Sequence, residues 1–258
     1  MWLLAPPVDY KRRRSEVFGQ NFLWKHSENP FYVMDNHLAA AWCWLNECDK
    51  SASYNFMHID QHEDLLNNLS IKDYIALKEK SFSFDEYIKL TKTSRSVRFQ
   101  PQPVFRWDNY IIPIMRLFPN WFEESFFATL EESSSLEKRA IGFRPSWHQN
   151  QLTLASYIET AFENSWNELE ELAEKKQYKW IVNFDLDYFF KDRKQMLTDD
   201  YILEICERLH VFIDRIQVFT LALSPECCGG WTAAEHALEV FCQGFPEFLE
   251  FNREKKSL

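Results

Sequence analysis

Apolar residues along the chain form short continuous runs that alternate with longer stretches of helical spacing. The short runs are rich in β-branched and aromatic residues, which is typical of strands buried on both faces. Four of them are "FYVM" (31–34), "NFMHI" (55–59), "WIVNF" (180–184) and "QVFTLAL" (217–223). Helical spacing marks 152–176, 199–213 and 231–245. This alternation predicts an α/β fold, a three-layer αβα sandwich with a mostly parallel sheet.

Proline, glycine and capping residues help to place the predicted strands and the ends of the predicted helices. The run "NYIIPIMRLF" (109–118) is apolar enough for a central strand, but Pro113 cannot donate to a ladder and favours a bulged or edge strand. In the last long helix, Thr232 and Glu235 have the spacing of a capping box. Gly244 is placed to follow the end of that helix as a C′ residue.

Composition limits the classes of protein that fit. The 258 residues are 46% hydrophobic, glycine is rare (5) and no linker divides the chain, so one domain over 1–258 is expected. The net charge of −10 argues against nucleic-acid binding, which needs clustered cations. The basic run 11–14 is interpreted as a solvated segment, with a peptide or acidic partner as the minority alternative.

The same sequence carries no sign of export or membrane insertion. Its N-terminal apolar stretch is too short for a signal peptide, and no apolar run reaches membrane-spanning length. The six cysteines show no paired framework. We therefore expect a cytoplasmic chain with reduced thiols and no membrane partner.

Polar residues able to bind a metal follow each of the four buried runs. In a parallel sheet the carboxyl ends of the strands lie at one edge, where ligands gather. Each residue alone has an ordinary explanation as a cap, a turn or a solvated acid, but their joint placement at strand ends favours one site. The expected members are His37, Asp60, His62, Asp64, Asp185, Asp187 and Glu226. His58 shares a strand face with Asp60 but lies deeper, so we expect a supporting role for it.

Four carboxylates in one crevice must take up protons, spread apart or hold cations. Two unit charges about 4 Å apart repel by about 4 kcal/mol at an effective dielectric of about 20. Two divalent cations would offset the four negative charges, two histidines would complete the ligand set, and a carboxylate can bridge two ions. Such an oxygen-rich set with two imidazoles favours Mn²⁺, with Fe²⁺ or Co²⁺ as alternatives, over a cysteine-type zinc site.

These motifs together resemble the arginase/ureohydrolase superfamily. The binuclear manganese site of that family uses an early His, an Asp-x-His-x-Asp motif and a later Asp-x-Asp. They match His37, "DQHED" (60–64) and "DLD" (185–187) in the same order, within a resemblance that spans roughly 30–245. The departure from amino-acid arginases comes after Asp187, where "YFFKDR" replaces their Asp-Pro run. The segments "MDNHLAAAWCW" and "LSPECCGGW" are more similar to a divergent branch that includes peptide arginases, which convert arginine to ornithine inside ribosomally made peptides.

The resemblance implies a role for each residue and an arginase-like fold. Asp60 and Asp185 would bridge two Mn²⁺ ions, of which one also takes His37 and Asp64 and the other His62 and Asp187. The ions would convert a bridging water to hydroxide, which attacks the guanidinium carbon and releases urea and ornithine. Asp64 is expected to pass a proton to the leaving amine, and Glu226 to orient the guanidinium. The implied partner is an arginine-containing precursor peptide, so the reaction would belong to peptide natural-product maturation.

Three alternatives stay open at this point. The substrate can be free arginine or another small guanidino compound instead of a peptide. A deacetylase-like amidohydrolase on the same fold would hold one zinc, although the pair Asp185 and Asp187 favours two metals. A degenerate fold can bind peptide without chemistry, and the complete ligand set argues against that reading. The sequence makes no prediction of oligomeric state.

Residues next to the motifs are expected to support the site or to lie outside it. His148 is a candidate proton shuttle or, in the simpler interpretation, an ordinary loop histidine. Cys227 and Cys228 are expected to pack near Glu226 without taking part in chemistry. Gln61 and Glu63 alternate with the motif residues, so they are expected to point away from the site as supporting or solvent-facing side chains.

Overall fold

The structure is a computed structural model that describes most of the chain. The described residues are 1–13, 19–66, 69–78, 81–92, 102–130, 146–147, 151–164 and 178–255. The predicted helix at 152–176 therefore lies only partly within them, and His148 lies outside them. No helix within these ranges is long and apolar enough to cross a membrane.

Ten strands form one eight-stranded sheet and a small hairpin among the described residues. In chain order they are β1 (Trp2–Leu4), β2 (Leu23–Lys25), β3 (Phe31–Met34), β4 (Tyr54–Asp60), β5 (Ser125–Thr129), β6 (Ser146–Trp147), β7 (Lys179–Asp185), β8 (Phe190–Lys191), β9 (Lys194–Gln195) and β10 (Ile216–Ala222). The large sheet has the order β1-β2-β3-β10-β7-β4-β5-β6, and β8 pairs with β9 alone. Pairing is parallel from β3 to β6, while β1 and β2 form an antiparallel edge.

Helices cover both faces of this sheet. They are α1 (Ala40–Glu47), α2 (Ile71–Lys78), α3 (Phe84–Ile88), α4 (Ile111–Leu117), α5 (Gln151–Asn164), α6 (Asp199–His210), α7 (Pro225–Cys228), α8 (Trp231–Gly244) and α9 (Leu249–Lys255). Alternate residues of β3 enter two separate cores: Val33 packs in the core that holds α5, α6 and α8, and Tyr32 in the core that holds α1 and α4. The predicted α/β architecture with a mostly parallel sheet between helices is confirmed.

The stretch around Pro113 corrects a prediction. It forms α4, not an edge strand, and Ile111, Ile112 and Ile114 are fully buried against the sheet. Pro113 lies in the first helical turn, where a backbone N–H has no partner within the helix, so the ring costs no hydrogen bond. The apolar run thus came from a buried helix, which short periodicity alone does not separate from a strand.

The predicted ends of α8 are also corrected. The N-cap is Gly230, without a side-chain cap, and Glu235 instead binds Lys11 and Lys255. Gly244 is the last residue of the helix and not its C′ residue. A Cβ there would lie 2.6 Å from Cys206 Cβ, so this glycine permits the close packing of α8 on α6.

Candidate metal centre

The four strands that carry the motifs are neighbours in the sheet, in the order β3-β10-β7-β4. Because they are parallel, their carboxyl ends meet at one edge. After β3, the Asn36 side chain accepts a 2.9 Å hydrogen bond from the backbone N–H of Leu38 and starts a short 3-10 turn at His37. This cap turns the His37 ring back over the strand ends.

His37 is surrounded by three carboxylates. Its Nδ1 lies 3.2 Å from Asp60 Oδ2, 3.2 Å from Asp64 Oδ2 and 3.5 Å from Asp185 Oδ2. The His37 side chain is 2% exposed, so water scarcely screens these charges. His37, Asp60 and Asp185 form one group that could hold a metal ion, and Asp60 and Asp64 form another with His58.

His62 forms a second group with part of the first. Its Nδ1 lies 3.2 Å from Asp187 Oδ2 and 3.4 Å from Asp60 Oδ1. Asp60 therefore directs one oxygen toward His37 and the other toward His62. A carboxylate that lies between two imidazoles in this way is placed to bridge two ions.

Backbone hydrogen bonds fix the orientation of the carboxylates. The N–H of His62 donates to Asp60 Oδ1 at 2.7 Å, and the N–H of Asp187 donates to Asp185 Oδ1 at 2.9 Å. The hydroxyl of Ser224 donates to Asp185 Oδ2 at 2.5 Å. By contrast, Asp60 Oδ2 is buried and accepts no hydrogen bond from the described residues. This oxygen lies 3.2 Å from His37 Nδ1, and a metal ion can take the place of the imidazole proton beside it.

Burial and like charge raise the pKa of three of the acids. Burial, with the nearby charge of Asp60, raises the pKa of Asp64 to about 7 and that of Asp187 to about 6. Burial and the charge of Asp187 raise the pKa of Asp185 well above its usual range. The acids thus hold protons in the absence of a cation, as expected for carboxylates crowded out of water.

The pKa shifts of the remaining acid and the two imidazoles favour their charged forms. Burial alone would raise the pKa of Asp60, but the imidazoles of His37 and His62 hold it well below its usual range. Burial alone would lower the pKa of both histidines, but the surrounding carboxylates raise it. Protons on these imidazoles occupy the positions that metal ions would take.

A row of buried polar side chains lies directly beneath the carboxylates. Asn183 on β7 is in register with His58 on β4 and Thr220 on β10. Its Nδ2 lies 2.8 Å from His58 Nδ1 and donates to the Tyr110 hydroxyl at 2.9 Å, while Thr220 Oγ1 donates to Asn183 Oδ1 at 2.8 Å. Since Nδ1 of His58 accepts, its Nε2–H donates to His62 O, 3.1 Å away. His58 therefore supports the site from below, and burial lowers its pKa to about 4.

The backbone at this edge is held in an uncommon conformation. Among the described residues four that are not glycine have a positive φ. Two of them belong to the centre: Asp64 (φ 51°) and Ser224 (φ 39°). Strained residues of this kind persist where the surrounding structure fixes them, and they cluster at functional sites.

Several neighbours differ from their predicted positions. Cys227 lies within the centre: its Sγ and ligand atoms of His62 and Asp187 all lie within 4.8 Å of one another. Glu63 is buried and not solvent-facing. Ser224 was not foreseen; its one sequence signal is its place directly after a buried strand. Glu226 lines a cavity next to the centre.

Comparisons with known proteins assign no family to this chain, so its function is argued from the geometry of the site. A scan against protein-family models finds no match, and a search of curated proteins finds none. The carboxylate and imidazole donors, the buried acid oxygen without a donor and the convergence of four strand ends show a cluster that can hold metal ions.

Proposed function

We propose that this chain is a binuclear metal hydrolase with an arginase-like fold, which converts arginine residues of a peptide to ornithine and urea. The observation that carries the proposal is the place of Asp60, buried between the imidazoles of His37 and His62 with one oxygen that accepts no hydrogen bond from the described residues. A carboxylate shared between two separate imidazoles is placed to bridge two ions, each with one imidazole ligand.

The donor set supports Mn²⁺ as the resident ion. Four carboxylates and two imidazoles are hard and borderline donors, which suit Mn²⁺ and also Fe²⁺ or Co²⁺. The first ion would be held by His37, Asp60, Asp64 and Asp185, and the second by Asp60, His62, Asp185 and Asp187. Two such ions lower the pKa of water and so supply a nucleophile near neutral pH.

The side chains would bind the substrate and transfer the proton. Two bound ions would offset the charge of the four buried acids, so the guanidinium needs an acid outside the ligand set. Glu226 would orient the planar guanidinium through charge-assisted hydrogen bonds. Asp64 contacts His37 at the edge of the cluster and would carry a proton from the attacking water to the departing amine.

The direct test is incubation of the Mn²⁺-loaded protein with end-blocked peptides that contain arginine. The expected result is release of urea with the change in peptide mass from an arginine residue to an ornithine residue, read by mass spectrometry. Free arginine and agmatine in parallel reactions decide the substrate class. No mass change in any peptide, with two bound metals confirmed, would contradict the proposal and favour a binding protein.

Matched variants separate metal binding from substrate binding. Asp187→Asn should lose metal and activity together. Glu226→Gln should keep both metals and lose activity, because its role is toward the substrate. Asp200→Asn removes an exposed acid from α6 and should change neither. Full activity of Glu226→Gln would remove Glu226 from the mechanism, and one tightly held zinc per chain would favour a deacetylase-like enzyme.

A further inference from the structure

A cavity with a strongly basic wall lies beside the metal centre. Its volume is about 270 Å³ and its lining includes Glu226, which directly precedes Cys227 of the centre. The cations around it are Lys11, Arg12, Arg13 and Arg193. Four cations at one cavity are unexpected on a chain with a net charge of −10. They create a local field opposite to that of the rest of the surface.

The N-terminal wall of the cavity is docked on α8 and is not a free solvated segment. The Tyr10 ring packs edge-on against Trp231, with 4.8 Å between centroids. Lys11 Nζ lies 2.8 Å from Glu235 on the same helix. These contacts hold Arg12 and Arg13 at the rim of the cavity. The described part of the basic run, 11–13, is exposed, as expected for a solvated segment, and it also has a fixed place beside the cavity, while Arg14 lies outside the described residues.

Another part of the lining is the tip of the β8–β9 hairpin, which carries Arg193. Asp192 and Arg193 form its turn with φ values of 50° and 63°, positions where glycine or asparagine is usual. The tip packs so closely on Gly229 that a Cβ there would lie 2.4 Å from Arg193 O. A strained turn held against a glycine keeps Arg193 at the cavity.

Two of the four cations remain available for a ligand. Lys11 is paired with Glu235, and Arg13 with Asp9 at 2.8 Å. Arg12 and Arg193 are exposed and have no ion pair among the described residues. Two arginines that line one cavity suit a planar anion with two oxygens, which guanidinium groups can bind through paired hydrogen bonds.

We propose that this cavity binds a carboxylate that the substrate carries next to its guanidinium-bearing residue. The inference rests on the proposed function, because Glu226 is taken to bind the guanidinium. A substrate with a guanidinium and a nearby carboxylate is a dipole, and a cavity lined by Glu226 together with Arg12 and Arg193 matches it. The carboxylate belongs either to an acidic side chain beside an internal arginine or to the α-carboxyl group of a terminal or free arginine.

Pairs of ligands that differ only in this carboxylate test the inference. The first pair is an end-blocked peptide with aspartate beside arginine and the same peptide with asparagine, made with the neighbour on either side. The second pair is a peptide with C-terminal arginine as the free acid and as the amide. Affinity for the Mn²⁺-loaded protein is measured by titration calorimetry, and turnover by mass spectrometry.

The expected result is about three- to tenfold tighter binding of the acid in at least one pair, as for a charge-assisted contact at a partly exposed site. The pair that shows the preference identifies the source of the carboxylate. Arg12→Gln with Arg193→Gln should remove the preference and keep the affinity for the uncharged partner. Lys50→Gln, at the opposite edge of the sheet, removes the same kind of charge and should keep the preference.

The outcomes separate this inference from the proposed function. Equal affinities in every pair, or a preference that survives the double variant, overturn the carboxylate site even if arginine is hydrolysed. A preference without turnover overturns the hydrolase and leaves the carboxylate site standing. In salt at about 1 M, where the Debye length is about 3 Å, the preference should shrink. A preference that is insensitive to salt would also overturn the inference.

Discussion

The chain contains Asp-x-His twice at this edge of the sheet, and the two aspartates are in opposite states. Asp35, before His37, is fully buried and saturated with donors: the backbone N–H groups of Asn21 and Phe22 donate to it at 3.0 and 3.1 Å, and Asn21 Nδ2 at 2.9 Å. Asp60, before His62, is equally buried, yet its Oδ2 accepts no hydrogen bond from the described residues.

The difference shows how to separate a structural acid from a ligand when the local sequence is the same. Buried polar groups are nearly always satisfied, so the donors around Asp35 identify it as the clamp that holds the 20–22 segment on the sheet. An unsatisfied buried oxygen next to two imidazoles is costly unless a cation binds it. The first motif therefore offers only its histidine to a metal ion, and the second offers both residues.

The largest effect expected from this comparison is on metal affinity. Asp60→Asn should weaken Mn²⁺ binding by more than about 100-fold, the upper range for loss of a group that only supports a ligand. Asp35→Asn should weaken it by less than about tenfold, because Asp35 lies outside the cluster. Competition with a metal-sensitive dye measures both. A similar loss of Mn²⁺ affinity in the two variants would mean that the hydrogen-bond donors around an aspartate do not separate a metal ligand from a structural acid.

In the metal-free chain, replacing Asp35 should reduce stability more than replacing Asp60, which is the reverse of their effects on metal affinity. Asp35→Ala leaves the N–H groups of Asn21 and Phe22 without an acceptor, at about 1 to 3 kcal/mol each. The free energy of unfolding should therefore fall by about 2 to 6 kcal/mol in total. Asp60→Ala removes one of several crowded carboxylates and should cost much less.

Urea unfolding in the presence of a chelator is the measurement for this pair. Asp35→Asn keeps an acceptor oxygen for one of the donors. Its free energy of unfolding should therefore lie between that of the wild type and that of Asp35→Ala. A larger loss for Asp60→Ala than for Asp35→Ala would show that Asp60 is held by contacts that the present geometry lacks.

The sequence predicted the members of the centre better than their surroundings. Asp60 and Asp185 follow apolar runs, and a parallel sheet brings such ends together whatever the strand order. The row of His58, Asn183 and Thr220 depends on which strands are neighbours and on their register, and neither is visible in local periodicity. The cavity is less predictable still, because Arg12 and Arg193 come from turns that meet only through tertiary packing.

The pH dependence of stability should differ between the loaded and the metal-free chain. Asp64 and Asp187 have folded-state pKa values of about 7 and about 6 against 3.8 in the unfolded chain. Between the unfolded and the folded pKa values, the folded chain therefore holds more protons than the unfolded chain. Its free energy of unfolding falls as pH rises from about 4 to about 7. The fall should be at least about 1.4 kcal/mol, the equivalent of one pKa unit.

Saturating Mn²⁺ should reverse this slope, because the ion binds the deprotonated ligands and competes with protons. Burial also raises the pKa of Asp35 to about 7, so it contributes a slope of the same sign. Its contribution should not respond to Mn²⁺, since its oxygens are already bound by backbone donors. Thermal or urea unfolding at several pH values, with and without metal, measures both. A slope that Mn²⁺ leaves unchanged would contradict the assignment of these acids as ligands.

The smallest expected effect concerns Cys227, which brings a soft donor to an otherwise oxygen-rich set. Burial raises the pKa of this thiol in the metal-free chain, but a bound ion deprotonates a coordinating thiol. Substitution with Co²⁺ should give a sulfur-to-metal charge-transfer band in the near ultraviolet. Cys227→Ser should lose the band and retain both metals, with only a few-fold change in affinity.

Cys228 is the matched control for that spectrum. It is fully buried and belongs to none of the groups of described residues that could hold a metal ion, and its Sγ donates to Leu223 O at 3.3 Å. Cys228→Ser should therefore keep the band unchanged. If the band is absent from the wild type, the centre is an all-oxygen and imidazole site and Cys227 only packs beside it. If both variants keep the band, the thiolate comes from another residue, and the approach of Cys227 to His62 and Asp187 does not reflect ligation.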